Sequence, residues 1–183
     1  LVLYRKKPNL RLTKMNIFNI VEVSGKKWVI VEFMEMFQGA VQLNLDSKGR
    51  LAIPAKHRDA LLAECAGSLV FTADADGCLL VYPQNIWEPI RAKLNNLSSF
   101  NARSRALQRL LIGNAEDVLM DGAGRVLISP NLRGYAGLDK RVMLVGQGNK
   151  FELWDEVKWQ AQQVAALALM SGDLPAELDG FSL

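Results

Sequence analysis

The chain predicts an α+β, strand-rich fold made from two copies of one unit, and three observations carry that expectation. The stretch LNLDSKGRLAIP (43–54) returns 75 positions later as VLMDGAGRVLISP (118–130), so that Asp46 answers Asp121, Gly49 answers Gly124, Arg50 answers Arg125 and Ile53 answers Ile128. Each copy of the turn lies between apolar alternations of period two, the pattern of half-buried strands. Each copy is then followed, in the same order, by a short helix, a hairpin and a further helix. A repeat of this length occurring twice is too long and too few-fold for a solenoid and indicates a pseudo-dimer within one chain.

The elements follow in order. Residues 1–35 have weak periodicity, although KKWVIVEF has the pattern of a strand. In MFQGAVQLNLD, Val41, Leu43 and Leu45 alternate with Gln42 and Asn44, a half-buried strand. DSKG supplies turn chemistry: Asp46 can accept from amides two or more residues on, and Gly49 can take a positive φ. Arg50–Ile53 is the return strand, closed by Pro54, so 40–54 is expected to be a β-hairpin. AKHRDALLAE is a short helix with Ala60, Leu61 and Ala63 among its apolar positions. SLVFTADADGCLLVYP is a second hairpin turning at DADG. NIWEPIRAKLNNL is a helix in which Pro89 is expected near the first turn. NARSRALQRLLIG is another, capped by Asn101 and ended near Gly113, with Leu107, Leu110 and Leu111 apolar and Arg103, Arg105 and Arg109 on a solvated face.

The order then recurs. AEDVLMDGAGRVLISP is the hairpin, NLRGYAGL the short helix, KRVMLVGQGNKFELW the second hairpin turning at GQGN, and DEVKWQAQQVAALALM the helix. Tyr82 precedes Trp87 by five, as Trp154 precedes Trp159. The tail SGDLPAELDGFSL is expected to be loose. The chain thus divides into a leader over 1–35 outside the fold, a first domain over 36–112 and a second over 113–183.

With 183 residues, 20.3 kDa and half of them hydrophobic, the chain can bury a substantial core. The net charge of +3 is uneven: residues 1–35 carry seven Lys/Arg against three Glu, and the remainder carries 15 basic and 16 acidic residues. The basic balance that signals nucleic acid therefore belongs to the leader and not to the body. Cys65 and Cys78 have no CxxC partner and are expected to be buried reduced thiols. No apolar run approaches the roughly 20 residues of a membrane span, and the leader lacks the pattern of a signal peptide, so the body is expected in the cytoplasm.

Catalysis finds little support. The one histidine, His57, has no nucleophile signature around it and is expected on the surface or a helix face. GAGRVL (122–127) and GQGNKF (146–151) place Leu127 and Phe151 where a dinucleotide fingerprint needs its third glycine, and both lie in hairpins. No enzyme activity, cofactor or metal is expected. The paired turns carry the functional signal. Singly, each reads as a turn-capping Asp with an Arg that salt-bridges it. Occurring twice in one context, they also suit recognition, because an Arg fork matches guanine edges and phosphates and a hairpin can approach a major groove. Lys48 stands in the first turn opposite Ala123 in the second, so the copies are not equivalent.

MFQGAVQLNLDSKGRLAIP, RLLIGNAEDVLMDGAGRVLISP and VMLVGQGNKFELWD resemble the MraZ family, bacterial regulators associated with the division and cell-wall gene cluster. The resemblance spans Met36–Leu183 and includes both DxxGR turns. It implies tandem SpoVT-AbrB-like swapped-hairpin (double-split β-barrel) halves with flanking helices. It also implies a ring-like homo-oligomer and sequence-specific binding of double-stranded DNA at GTGGG-like direct repeats upstream of the protein's own gene, with a repressor role in the nucleoid. Neither a membrane nor a small-molecule substrate is implied. By motif matching, Asp46, Lys48, Gly49, Arg50, Asp121, Gly124 and Arg125 fall on the family's DNA-binding loops. The alternative is an AbrB-like protein-interaction or antitoxin-like module without specific DNA binding.

The family begins at the position of MFQGA, so the leader resembles upstream DNA read as protein, or an addition. Its residues admit codons for such boxes: GTGGA at Val21-Glu22 and Val31-Glu32, GTGGG across Ser24-Gly25 and Lys27–Val29. Taken in order along the chain, the four boxes start ten nucleotides apart, matching a helical repeat of about 10–10.5 bp.

Overall fold

The computed structural model describes residues 2–5, 16–23, 26–32 and 36–170, and divides the chain into two compact units, Leu1–Glu35 and Met36–Leu183. In the first unit, β1 (Val2–Arg5), β2 (Asn16–Val23) and β3 (Lys26–Glu32) form an antiparallel sheet in the order β1-β3-β2. The strand expected in KKWVIVEF is therefore present as β3. The tail expected to be loose lies outside the described residues.

The second unit runs β4 (Phe37–Asn44), β5 (Arg50–Ala52), α1 (Ala55–Cys65), β6 (Ser68–Ala73), β7 (Leu79–Pro83), α2 (Gln84–Asn95) and α3 (Ala102–Leu111). It continues β8 (Glu116–Leu119), β9 (Arg125–Leu127), α4 (Pro130–Ala136), β10 (Arg141–Gly148), β11 (Phe151–Asp155) and α5 (Glu156–Met170). Six strands form one antiparallel sheet, β4-β10-β11-β7-β6-β8, and β5 pairs with β9 in a separate ribbon. The order is palindromic under the internal repeat: β4 corresponds to β8, β10 to β6 and β11 to β7. Each sequence copy thus gives its first strand to the other copy's hairpin, β4 onto β10 and β8 onto β6. The fold is α+β with two swapped-hairpin halves.

This exchange corrects the hairpin expected over 40–54. The turn is there, but its arms part: β4 runs beside β10, β5 beside β9, and only the Leu45–Leu51 bridge joins them. A lone two-stranded hairpin is marginal in water, and exchanging strands covers the open edges of both copies at once.

One core serves both copies. Leu51 and Ile53, with Val126 and Ile128, point inward beside Leu69, Phe71, Leu79 and Val81 from one hairpin and Val142, Leu144, Phe151 and Leu153 from the other. Leu61 of α1 and Leu132 of α4 close it. Each such fully buried side chain contributes about 1.5–3 kcal/mol. On the outer faces, Trp87 of α2 packs on Tyr82 with ring centroids 5.6 Å apart, and Trp159 of α5 faces Trp154 at 6.0 Å. The aromatic spacing repeated in the sequence therefore docks a helix on each half.

Several local expectations change. His57 is 8% exposed, its ring set edge-on between Phe37 and Phe151 at 5.6 and 4.9 Å, because the first turn of α1 covers the ends of β4 and β11. Pro89 sits inside α2, which begins one residue earlier than NIWEP and packs through Trp87 and Leu94. Its ring removes the amide that would bond Asn85, but both residues are exposed and water can reach that carbonyl. Asn101 caps α3 as expected, accepting from Arg103 N at 2.8 Å and Ser104 N at 3.3 Å. The apolar face of α3 is only partly covered, with Leu107 exposed and Leu110 and Leu111 half-buried. Cys78 is buried, whereas Cys65 is half-buried and its Sγ donates to Leu61 O. Desolvation pushes both thiols upward. No described helix is long and apolar enough to cross a membrane.

Candidate nucleic-acid interface

The two turns have one construction. In the first, Asp46 Oδ1 accepts from Lys48 N and Arg50 N, both at 2.9 Å, and Oδ2 accepts from Arg50 Nε at 2.7 Å. In the second, Asp121 Oδ1 accepts from Ala123 N and Arg125 N, both at 2.9 Å, and Oδ2 accepts from Arg125 Nε at 2.9 Å. The backbone closes each loop, Gly49 N donating to Asp46 O at 2.9 Å and Gly124 N to Asp121 O at 2.8 Å. Gly49 and Gly124 take φ of +81° and +75° there, the left-handed region. The turn-capping Asp and the Arg that bridges it are thus both present, twice.

The hydrogen bonds set the charge state. The Arg50 amide, then its guanidinium, hold the Asp46 carboxyl down to about 2; the Arg125 amide lowers that of Asp121 in the same way. Both carboxylates remain ionised at any ordinary pH and keep their arginines oriented. As surface pairs they add little stability. Their effect is positional.

The β5–β9 ribbon brings the turns together. Leu51 pairs with Val126, its own repeat equivalent, so a pseudo-two-fold axis passes between them. Arg50 pairs with Leu127 and Ala52 with Arg125. Leu51 and Val126 are buried, so alternation puts Arg50 and Arg125 together on the opposite, outward face. One interstrand spacing and a two-residue advance separate their Cα atoms by roughly 8 Å. Lys48 is exposed on the first turn, as Ala123 is on the second. Arg103, Arg105 and Arg109 ride instead on α3, where Arg105 Nη1 donates to Ser99 O at 2.6 Å.

Two arginines at the site escaped the sequence reading. Arg58 of α1 and Arg133 of α4 are repeat equivalents whose Nε atoms donate to Ile53 O and Ile128 O. Each guanidinium lies against the glycine of the other half's turn, Arg133 against Gly49 and Arg58 against Gly124. A signal existed: each stands five residues after the repeated isoleucine, within the same 75-residue register.

An arginine-bearing turn is thus repeated about a pseudo-two-fold axis on a swapped-strand α+β scaffold. Residues 36–110 and 111–177 each match the family model described as "MraZ protein, putative antitoxin-like", and the chain belongs to that family. The chain is 62% identical to "Transcriptional regulator MraZ" of Nitrosomonas eutropha over 148 residues, 81% of this chain and all of that protein. It is 60% identical to the protein of the same name from Nitrosospira multiformis over the same length. With that of Pseudomonas aeruginosa PAO1 it shares 58% over 146 residues, 78% of this chain and 97% of that protein.

Proposed function

We propose that this protein is a sequence-specific DNA-binding transcriptional regulator that reads duplex DNA with its Asp46–Arg50 and Asp121–Arg125 turns. One observation carries the reading: two identically built arginines share the outward face of a ribbon whose inward face is the core. A guanidinium has five N–H donors, and each Asp engages only part of that set. The remaining donors suit the O6/N7 edge of guanine or a phosphate, and a pre-oriented fork loses little freedom on binding. Gly49 and Gly124 shape the turns, and Lys48 adds a phosphate contact to the first. Because the body is near neutral, affinity comes from these few focused cations.

The reading extends to a cytoplasmic, nucleoid-associated repressor of the division and cell-wall gene cluster, bound to GTGGG-like direct repeats upstream of its own gene. The DNA-reading body comprises the two repeats, residues 36–112 and 113–183, and the leader 1–35 lies outside it. One chain offers two turns, so a row of boxes calls for several chains, assembled in a ring and bound through effective concentration. Apolar surface for self-association is at hand: Val157, Val164, Leu167 and Leu169 of α5 are 68–81% exposed, beside a groove of about 480 Å³ lined by Trp154 and Trp159.

The test is DNA affinity of Arg50→Ala and Arg125→Ala across two salt concentrations. Each is expected to weaken specific binding about 5- to 150-fold, the worth of one good base contact. Wild-type affinity in both variants would contradict the reading and favour a protein-interaction or antitoxin-like module.

A further inference from the structure

We propose that Arg58 and Arg133 are positioning residues that brace the turn of the opposite half, so that each half of the chain sets the base-reading arginine of the other. The inference rests on the DNA-binding reading above for its functional consequence, though its geometry is independent of that reading.

A chain of hydrogen bonds crosses the pseudo-two-fold axis in each direction. Arg58 Nε donates to Ile53 O at 2.6 Å, Ile53 N donates to Gly124 O at 2.9 Å, and Gly124 N donates to Asp121 O at 2.8 Å. Asp121 in turn holds Arg125. In the other direction, Arg133 Nε donates to Ile128 O at 3.2 Å, Ile128 N to Gly49 O at 3.0 Å and Gly49 N to Asp46 O at 2.9 Å. Asp46 holds Arg50. The contact is also steric. A Cβ on Gly49 would lie 2.7 Å from Arg133 Nε and 2.8 Å from its Cζ, and one on Gly124 would overlap the guanidinium and Cδ of Arg58. Each turn is therefore seated directly on the other half's arginine.

The chemistry asks for Arg at these places. Nε sits on the inner edge of a rigid plane, so bonding it to a carbonyl fixes the whole fork against the glycine. A lysine ammonium is a point charge on a flexible stem and cannot do both. Neither Arg58 nor Arg133 is in an ion pair among the described residues, so no carboxylate draws them off the turns. The brace makes the two turns a coupled pair. A change at α1 is felt at Arg125 and a change at α4 at Arg50.

The experiment uses the full chain with Arg58→Lys and, independently, Arg133→Lys. Amide NMR without DNA is expected to show Arg58→Lys moving the Gly124 and Arg125 signals more than those of Gly49 and Arg50, and Arg133→Lys doing the reverse. Signals that move in the variant's own half, or in neither turn, overturn the brace. In DNA binding, Arg58→Lys is expected to weaken affinity alone and beside Arg50→Ala, but to add less than twofold beside Arg125→Ala. Its log–log salt slope should equal the wild-type slope. Full affinity with lysine, or with Arg58→Gln a slope reduced by about one, would mean a direct phosphate contact and overturn the positioning role. Crossed amide shifts in a wild-type protein that binds no DNA would uphold the brace and reject the regulator reading.

Discussion

At Gly49 and Gly124 two constraints coincide, a positive φ and a neighbour's guanidinium in the space a methyl group would need. Gly49→Ala or Gly124→Ala is expected to cost about 1–2 kcal/mol from the left-handed backbone alone, with displacement of the arginine added. Gly122→Ala, in the same loop but with open space around it, should stay within about 0.5 kcal/mol. Thermal melting of the three variants checks the contrast. Asp46 and Asp121 give a pH prediction. Both folded-state values are depressed, so the contribution to stability is complete above the ordinary carboxylate value of 3.8 and is lost as pH falls below it, for Asp46 toward about 2. Denaturant midpoints of wild type should fall across that window, and Asp46→Asn should flatten the fall. A slope unchanged by that substitution would contradict the assignment. Asp, Gly and Arg of the turns were legible in the sequence because turn chemistry is local. Arg58, Arg133 and the burial of His57 were not, because their partners lie in the other half or across the sheet.

Among the elements, the β5–β9 ribbon sets the relative placement of the two turns. Its three residue pairs put Leu51 and Val126 at the axis, fully covered, and Leu127 out in solvent. Leu51→Ala should therefore destabilise by about 2–5 kcal/mol, and Leu127→Ala by no more than about 0.5 kcal/mol. Equal effects in chemical denaturation would mean that the ribbon's faces are wrongly assigned. Period-two alternation revealed the strands here, and the turn residues revealed their ends. It could not reveal which strand pairs with which, since any partner on the same face satisfies the same alternation. That is why 40–54 reads as a hairpin yet opens into two sheets. Pro89 shows a similar limit: propensity places it near a first turn, whereas it is the sixth residue of α2, a helix held by buried Trp87 and Leu94.

For the whole molecule, the repeat announced a pseudo-dimer, but the interleaving of its copies followed only from the family resemblance. Strand exchange has a direct consequence. Residues 36–112 alone lack β10, which covers β4, and β8, which covers β6, so this piece is expected to show no cooperative unfolding transition. A sharp melt by circular dichroism would mean that the first copy is self-sufficient. Under the proposed DNA-binding function, two inequivalent turns per chain, joined through a shared core, would give a regular footprint on DNA. The most direct measurement is fluorescence anisotropy of the full chain on two duplexes carrying four GTGGG-type boxes, spaced by ten base pairs in one and fifteen in the other. Paired turns that read one face of DNA predict tight, salt-sensitive binding to the ten-spaced duplex and loss of that preference in the Arg50→Ala, Arg125→Ala double variant. Equal, weak binding to both duplexes, unchanged by the double variant, would contradict it.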